Sequence, residues 1–424
     1  MAAAGAGAGG RPGVSAGRRA AGEAFFEAEA ERIARLCHAM AERFARGGRL
    51  LALGATPAAR SDARHVAVEF VHPVIVGKRA LPALGLAPEG GAPRTQLESV
   101  AEPGDIAIGF DADLDPETAA ALGRARELGC LTLGFGGGAA EWEFEPPGDD
   151  RFIRQELVET LYHVLWELVH VFFDHRGLLS GREAGAVHDT GASSFLYPFL
   201  SESEDDLDAV VDDVRRSVLA KSAEIAELRE QTLSENRDGL VAAASALRAV
   251  FEAGGRVLAC GNGGSATDAM DLAADLRRPP DQPMPATSSA SPAGVRGAGW
   301  PNRPAIDLTE DAAILTAIAN DVGVEQVFSR QVIALGRAGD ALVTLSTSGS
   351  SGNLISALAE ARGRGLVTLA MVGYDGGRIA SEGLADHVVV SRSQHIPRIQ
   401  EAQASASHVL RELIELVGAT AGDG

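Results

Sequence analysis

The sequence predicts an α/β protein of two tandem domains, each a doubly wound parallel sheet flanked by helices. Three observations carry this. Short apolar runs alternate with longer segments of helical pattern, as parallel sheets covered on both faces require. The chain matches itself: Arg46–Gly54 reads against Ala253–Gly261, and Gly104–Gly109 against Gly339–Thr344. Finally, 424 residues are more than one ordinary core accommodates.

Taken in order, the first residues are nearly all Ala, Gly and Arg, so 1–20 reads as a disordered tail ahead of an N-terminal domain, 21–174. In that domain a helix stops at Gly47-Gly48 and an apolar strand ends at Gly54. A second strand follows Asp105, then a helix over Pro116–Glu127, a strand over Cys130–Leu133 and a turn at Gly136–Gly138. A last helix follows, in which Gln155 precedes His163 by eight residues. Residues 175–203 read as a linker. The second domain, 204–424, opens with a long helix of mixed charge, Asp205 to Arg237, and repeats the order. Its strands lie at Val257–Cys260, Ala341–Leu345 and Leu366–Ala370, its turn at Gly376-Gly377, and in its last helix Gln400 again precedes a histidine, His408, by eight. Residues 279–304, rich in Pro, Ser, Ala and Gly, read as an insertion. The repetition predicts an intrachain pseudo-dimer, with further homo-oligomerisation expected.

Composition narrows the function. The net charge of −20 disfavours a nucleic-acid partner, which needs a basic surface. No apolar run approaches a membrane span, so no membrane partner is expected. Arg18-Arg19 is followed by glutamates rather than an apolar stretch, which argues against an export signal. The three cysteines are far apart and fit a reducing compartment, and the expected location is cytoplasmic.

Two loops carry the chemistry. Gly261-Asn262-Gly263-Gly264-Ser265 follows a strand and opens a helix, where free N–H groups and a partial positive charge suit an anion. Ser346-Thr347-Ser348-Gly349-Ser350-Ser351 does the same with five hydroxyls. A single N-cap needs only one. Both loops fall at the carboxyl ends of strands, where open parallel sheets bind ligands. Together with Leu315–Asp321 and Arg398-Ile399-Gln400-Glu401, these loops resemble the phosphoheptose isomerase branch of the sugar isomerase (SIS) family over about residues 230–416. The resemblance implies a phosphorylated sugar as partner and aldose–ketose isomerisation of sedoheptulose 7-phosphate or a related sugar phosphate. It implies that Ser265, Ser346, Ser348 and Ser351, with the Gly263-Gly264 turn, hold phosphate, and that Asn262, Thr347 and Asp311 hold the sugar.

The resemblance also implies zinc, held by a His and Glu four apart on the first domain helix and a Gln and His eight apart on the last. The Glu and the second His act as base and acid. The C-terminal domain departs from this, with Asp271 and Asp275 ahead of Gln400 and His408. The N-terminal domain keeps His65, Glu69, Gln155 and His163, but Thr56-Pro57 interrupts its glycine turn and Asp111 and Asp113 replace two serines. The halves therefore complement one another, and the expectation is a composite site. Catalytic candidates are Glu69 and His163 in one half and Asp275 and His408 in the other. Metal candidates are His65, Glu69, Gln155 and His163, or alternatively Asp271, Asp275, Gln400 and His408. The rival expectation is a non-catalytic phosphosugar-binding or scaffold protein.

Overall fold

A computed structural model describes residues 13–74, 78–87, 92–111, 114–174, 179, 206–278 and 300–416. The first half runs α1 (Gly13–Ala45), β1 (Leu50–Leu53), α2 (Pro57–Val71), β2 (Ala83–Leu86), α3 (Pro93–Val100), β3 (Ile106–Gly109), α4 (Pro116–Glu127), β4 (Leu131–Phe135), β5 (Trp142–Phe144), α5 (Arg151–Asp174). The second runs α6 (Leu207–Glu235), α7 (Arg237–Glu252), β6 (Val257–Gly261), α8 (Gly264–Arg277), β7 (Ala305–Asp307), α9 (Ala312–Asp321), α10 (Ser329–Leu335), β8 (Ala341–Ser346), α11 (Gly352–Gly363), β9 (Val367–Gly373), α12 (Gly377–Ser381), β10 (His387–Ser391), α13 (Ile396–Leu416).

Each half forms a five-stranded, all-parallel sheet. The orders are β2-β1-β3-β4-β5 and β10-β9-β8-β6-β7, the same 2-1-3-4-5 winding read from opposite ends. The strands are short, apolar and buried, as strands covered on both faces must be. In this winding the order reverses between the first and third strands, so ligand sites fall at their carboxyl ends. Those ends carry the turns at 54–57 and 109–115 in the first half, and 261–265 and 346–352 in the second.

The halves meet through helices. Ser61 reaches Asp271 while His65 reaches Asp268, so α2 and α8 pack antiparallel. The terminal helices α5 and α13 are almost wholly buried, with Trp166, Arg398 and Arg411 among the largest enclosed side chains.

Two expectations change. Residues 13–20 are not a disordered tail but the first turns of α1. Arg18 is buried there because its guanidinium bonds both carboxylate oxygens of Glu156 at 3.0 Å. The insertion closes earlier than residue 304: Trp300 is buried beside Phe152 and Arg411, and Arg303 pairs with Glu415. His170 is buried, and both its ring nitrogens meet backbone carbonyls, of Trp166 and Arg79. Helix α6 packs inward along much of its length. Its Val210, Val214 and Val218 join the core of the first half, and Arg229 is buried against Glu156. Most of the 175–203 linker and residues 279–299 lie outside the described residues.

Candidate functional site

Antiparallel packing of α2 on α8 decides which groups meet. Asp271 and Asp275 lie six and ten residues past Ser265, ~9 and ~15 Å along the helix. They therefore stand away from their own glycine turn. His65, on the opposing helix, takes the place beside it. A Cβ on Gly264 would lie 2.6 Å from His65 Nε2 and would overlap Gln400 Nε2, so only glycine fits this cradle. Gly263 turns the chain with φ 59° and supplies no side-chain cap, which leaves the α8 N-terminus open to an anion.

The first cluster is thus composite. His65 and Glu69 come from α2, His163 from α5 and Gln400 from α13. Their donors crowd together: His65 Nε2 is 3.3 Å from His163 Nε2, 3.3 Å from Gln400 Nε2 and 3.9 Å from Glu69 Oε1. His163 Nδ1 meets Glu401 Oε1 at 2.9 Å, and His65 Nδ1 faces Asp268 Oδ1 at 3.4 Å. Each carboxylate favours the Nδ1–H tautomer. Two lone pairs on Nε2 then face each other, an arrangement that calls for a cation. Glu69 Oε2 and Gln400 Oε1 are buried without partners, and rotating the amide brings Oε1 into the cluster. Burial depresses the His65 imidazolium well below its ordinary range, with His163 adding repulsion, and pushes the Glu69 carboxyl up to about 7.

The second cluster is its pseudo-symmetric mate: Asp271 and Asp275 on α8, His408 on α13, Gln155 on α5. His408 Nδ1 meets Glu156 Oε1 at 2.9 Å, mirroring His163 on Glu401. Ser405 bonds Glu156 as Thr160 bonds Glu401. Burial alone would lower the His408 pKa, yet Asp271, Glu156 and Asp275 outweigh it and raise it to about 10.

The glutamines are exchanged relative to the expected sets. Gln155 does not complete the His65 cluster; its amide donates to Asp271 at 2.8 Å, while Gln400 serves His65. The cause is the crossing of α5 and α13, which carries the start of each into the other half's cluster. Likewise Asp275 and His408 do not stand beside the second half's glycine turn. Asp275 instead lines a cavity of about 600 Å³ with Thr56, Pro57 and Asp111, the turns of the first half.

The loops differ as sharply as the clusters. In the second half, Ser265 and Ser346 are buried, the Ser346 hydroxyl accepts from Gly349 N–H, and the Ser348 hydroxyl accepts from Ser350 N–H. Ser351 stands at the N-cap of α11 but makes no side-chain cap, so capping does not account for the hydroxyls. Thr347 is half-buried between these serines. Asn262 and Asn353 exchange amide bonds at 3.0 and 2.8 Å and tie the two loops together. Asp311 is exposed and caps α9 through Ala313 and Ile314 N–H. In the first half the turns satisfy themselves. Thr56 caps α2 and Asp115 caps α4. Asp111, at the place of a serine, accepts the Thr56 hydroxyl at 2.5 Å and faces Arg151 at 3.4 Å. Asp113 lies outside the described residues.

Sequence reasoning missed Glu156, Glu401, Asp268 and Glu159. The signal available was a glutamate following each of the two paired glutamines.

A two-fold pair of doubly wound sheets, with anion-ready turns of one half facing His and Glu of the other, is the architecture of a sugar-phosphate isomerase-type protein. The family model described as SIS domain matches residues 222–277 and 293–373. The phosphoheptose isomerase of Nitratidesulfovibrio vulgaris (strain Miyazaki F) is 38% identical over 212 residues, covering 49% of this chain and 90% of that protein. That of Pelodictyon phaeoclathratiforme is 43% identical over 191 residues, covering 45% and 83%. The C-terminal domain of glucosamine-fructose-6-phosphate aminotransferase from Francisella tularensis superposes with a TM-score of 0.58 at 8% identity, covering 96% of this chain and 95% of that one, so it shares the fold of both halves together. The chain belongs to the SIS family, in its phosphoheptose isomerase branch.

Proposed function

We propose that the chain is an aldose–ketose isomerase of a phosphorylated sugar, sedoheptulose 7-phosphate or a close relative, working at one composite site. The observation that supports it is the contact of the Gly264 turn with His65 and Gln400, which puts phosphate-binding loops and acid–base groups from different halves in one place. Ser265, Ser346, Ser348 and Ser351 hold the phosphate, aided by the α8 N-terminus. Asn262 and Thr347 orient the hydroxyls, with Asp311 at the rim.

Isomerisation moves a proton between adjacent carbons and needs a base for carbon and an acid for oxygen. Glu69 is the base, through the Oε2 that no other group occupies. His163, held by Glu401 through Nδ1, carries the proton to and from oxygen on Nε2 while no metal occupies that nitrogen. Tyr162 packs on His65 and His163 and keeps bulk water from their rings. The donor set fits a divalent metal such as zinc: two imidazole lone pairs, a carboxylate and an amide oxygen within reach of one point. His65, Glu69, His163 and Gln400 would hold it, and when bound it would polarise the sugar carbonyl.

The reading includes a cytoplasmic protein and a further homo-oligomer, which would cover the exposed Ile314, Val322 and Val324. Among the described residues no helix is long and apolar enough to cross a membrane. A second reading, a phosphosugar-binding protein without turnover, is favoured by Asp271 and Asp275 standing where the family pattern has His and Glu.

The test is turnover of sedoheptulose 7-phosphate by chelator-stripped and zinc-restored protein. Glu69→Gln is expected to lose ~10³-fold, within the usual range for an acid–base group, and far more than Asp275→Asn. A larger loss in Asp275→Asn would sink the composite site. Phosphosugar binding with no turnover in the wild type would move the function to the second reading.

A further inference from the structure

The first cluster and its loops leave the mate of that site unexplained. The position has lost the phosphate cradle, yet it has not collapsed into an apolar seam. It keeps a cavity of about 600 Å³ and three groups converging on one point. His408 Nε2 is 3.9 Å from Asp271 Oδ2 and 3.8 Å from Asp275 Oδ2, too long for hydrogen bonds. Two ligands at ~2.1 Å from one cation stand about 3.0–3.4 Å apart at octahedral or tetrahedral angles, so an ion between these groups would need to draw them in by only about 0.5 Å. His408 is fully buried, and Nε2 has no hydrogen-bond partner although it aims between the two carboxylates.

The surroundings hold each ligand still. Glu156 takes His408 Nδ1 at 2.9 Å, which presents Nε2 inward. Phe152 stacks on the same ring at 4.3 Å and fixes its plane. Gln155 and Ser61 donate to the two oxygens of Asp271 at 2.8 and 3.2 Å. Asp275 also lines the cavity, so water or a small ligand can complete a coordination shell.

We propose that Asp271, Asp275 and His408 form a second divalent-cation site, separate from the His65 cluster and opening on the 600 Å³ cavity. Its donors differ in kind from the first. One imidazole and two carboxylates, with room for water, suit a harder cation such as Mn²⁺. The two imidazoles of the first cluster suit zinc. One chain therefore carries two unlike metal sites related by its internal two-fold. This inference stands independently of the isomerase reading, because it uses neither the phosphate loops nor turnover.

The experiment uses the full chain, stripped with chelator and titrated with Mn²⁺. Free ion is counted by its six-line electron paramagnetic resonance signal, which bound Mn²⁺ loses. Wild type is expected to bind Mn²⁺, and His65→Ala to retain that binding. The near-isosteric double variant Asp271→Asn/Asp275→Asn is expected to weaken it at least tenfold, with circular dichroism showing that it folds. An unfolded double variant would hand the decision to Gln155→Ala, which removes only a support of Asp271 and is expected to weaken binding severalfold with His65 intact. Mn²⁺ binding lost in His65→Ala but kept in the aspartate variant would overturn the proposal. So would the absence of any Mn²⁺ binding, which would mean that a proton on Nε2 takes the cation's place.

Discussion

The two clusters at the seam share a scaffold and differ in their chemistry. Both hang a histidine on a glutamate of the opposite half, His163 on Glu401 and His408 on Glu156, and both receive a glutamine from across the two-fold. Yet one pairs His65 and Glu69 with open, hydroxyl-rich loops, and the other pairs Asp271 and Asp275 with turns that cap themselves. A chain with two such sheets permits this because its sites are built crosswise. A change at Asp271 or Asp275 alters the site over the first half's turns and leaves the His65 cluster's own side chains in place. Two halves in one chain can therefore diverge into unlike sites, which two identical subunits cannot do.

The supports of the clusters offer the largest effect. Glu156 is buried between Arg18, Arg229 and His408, and these cations hold its carboxyl below the ordinary range despite burial. Among the described residues Glu401 pairs with one guanidinium, that of Arg398. Arg18→Met should remove the chief partner of a buried charge and cost about 3–5 kcal/mol, read from the urea midpoint of the whole chain. A loss under about 1 kcal/mol would mean that Arg229 and His408 alone suffice, and that α1 is dispensable to the seam.

Next is the cradle. Gly264→Ala should cut turnover by about 100-fold, because the new methyl must displace His65 and Gln400 by about 1 Å. The first half already carries Ala58 in its corresponding turn, so Ala58→Gly should restore nothing there. Steady-state kinetics of the two variants would decide. An unharmed Gly264→Ala enzyme would separate the glycine turn from the chemistry.

Much of this was legible in the sequence. The paired Gly-Gly stops, the short apolar strands and the two loops gave the fold, because each is a local signal with its own periodicity or turn chemistry. Pro116–Glu127 appears as the helix expected. The fifth strand of the first sheet was not legible from the repeat, since Trp142–Phe144 is only three residues long. The candidate sets came from the family resemblance, carried over residue by residue, and it did not reveal the glutamine exchange. Which half a side chain enters depends on the crossing of α5 and α13, and His163 finds its partner 238 residues away. Arg18 sat in composition that looked unstructured, and only the burial of Glu156 explains its place.

The smallest effect separates the ends of α5. Away from the clusters, Glu167 pairs with Lys221 and with Arg398, the latter at 3.1 Å. Burial opposes its ionisation, but Lys221 and Arg398 win and lower its carboxyl to about 2. A depressed folded pKa gives stability that is complete above the unfolded value near 4.5 and is lost as pH falls toward 2. Wild type should therefore lose about 2 kcal/mol from this group between about pH 5 and 3, and Glu167→Gln should lack that part of the slope. The measurement is urea unfolding of both proteins across that range. Parallel curves would mean that Glu167 keeps its proton in the folded chain, and that the two cations at this end of the seam are balanced by other carboxylates.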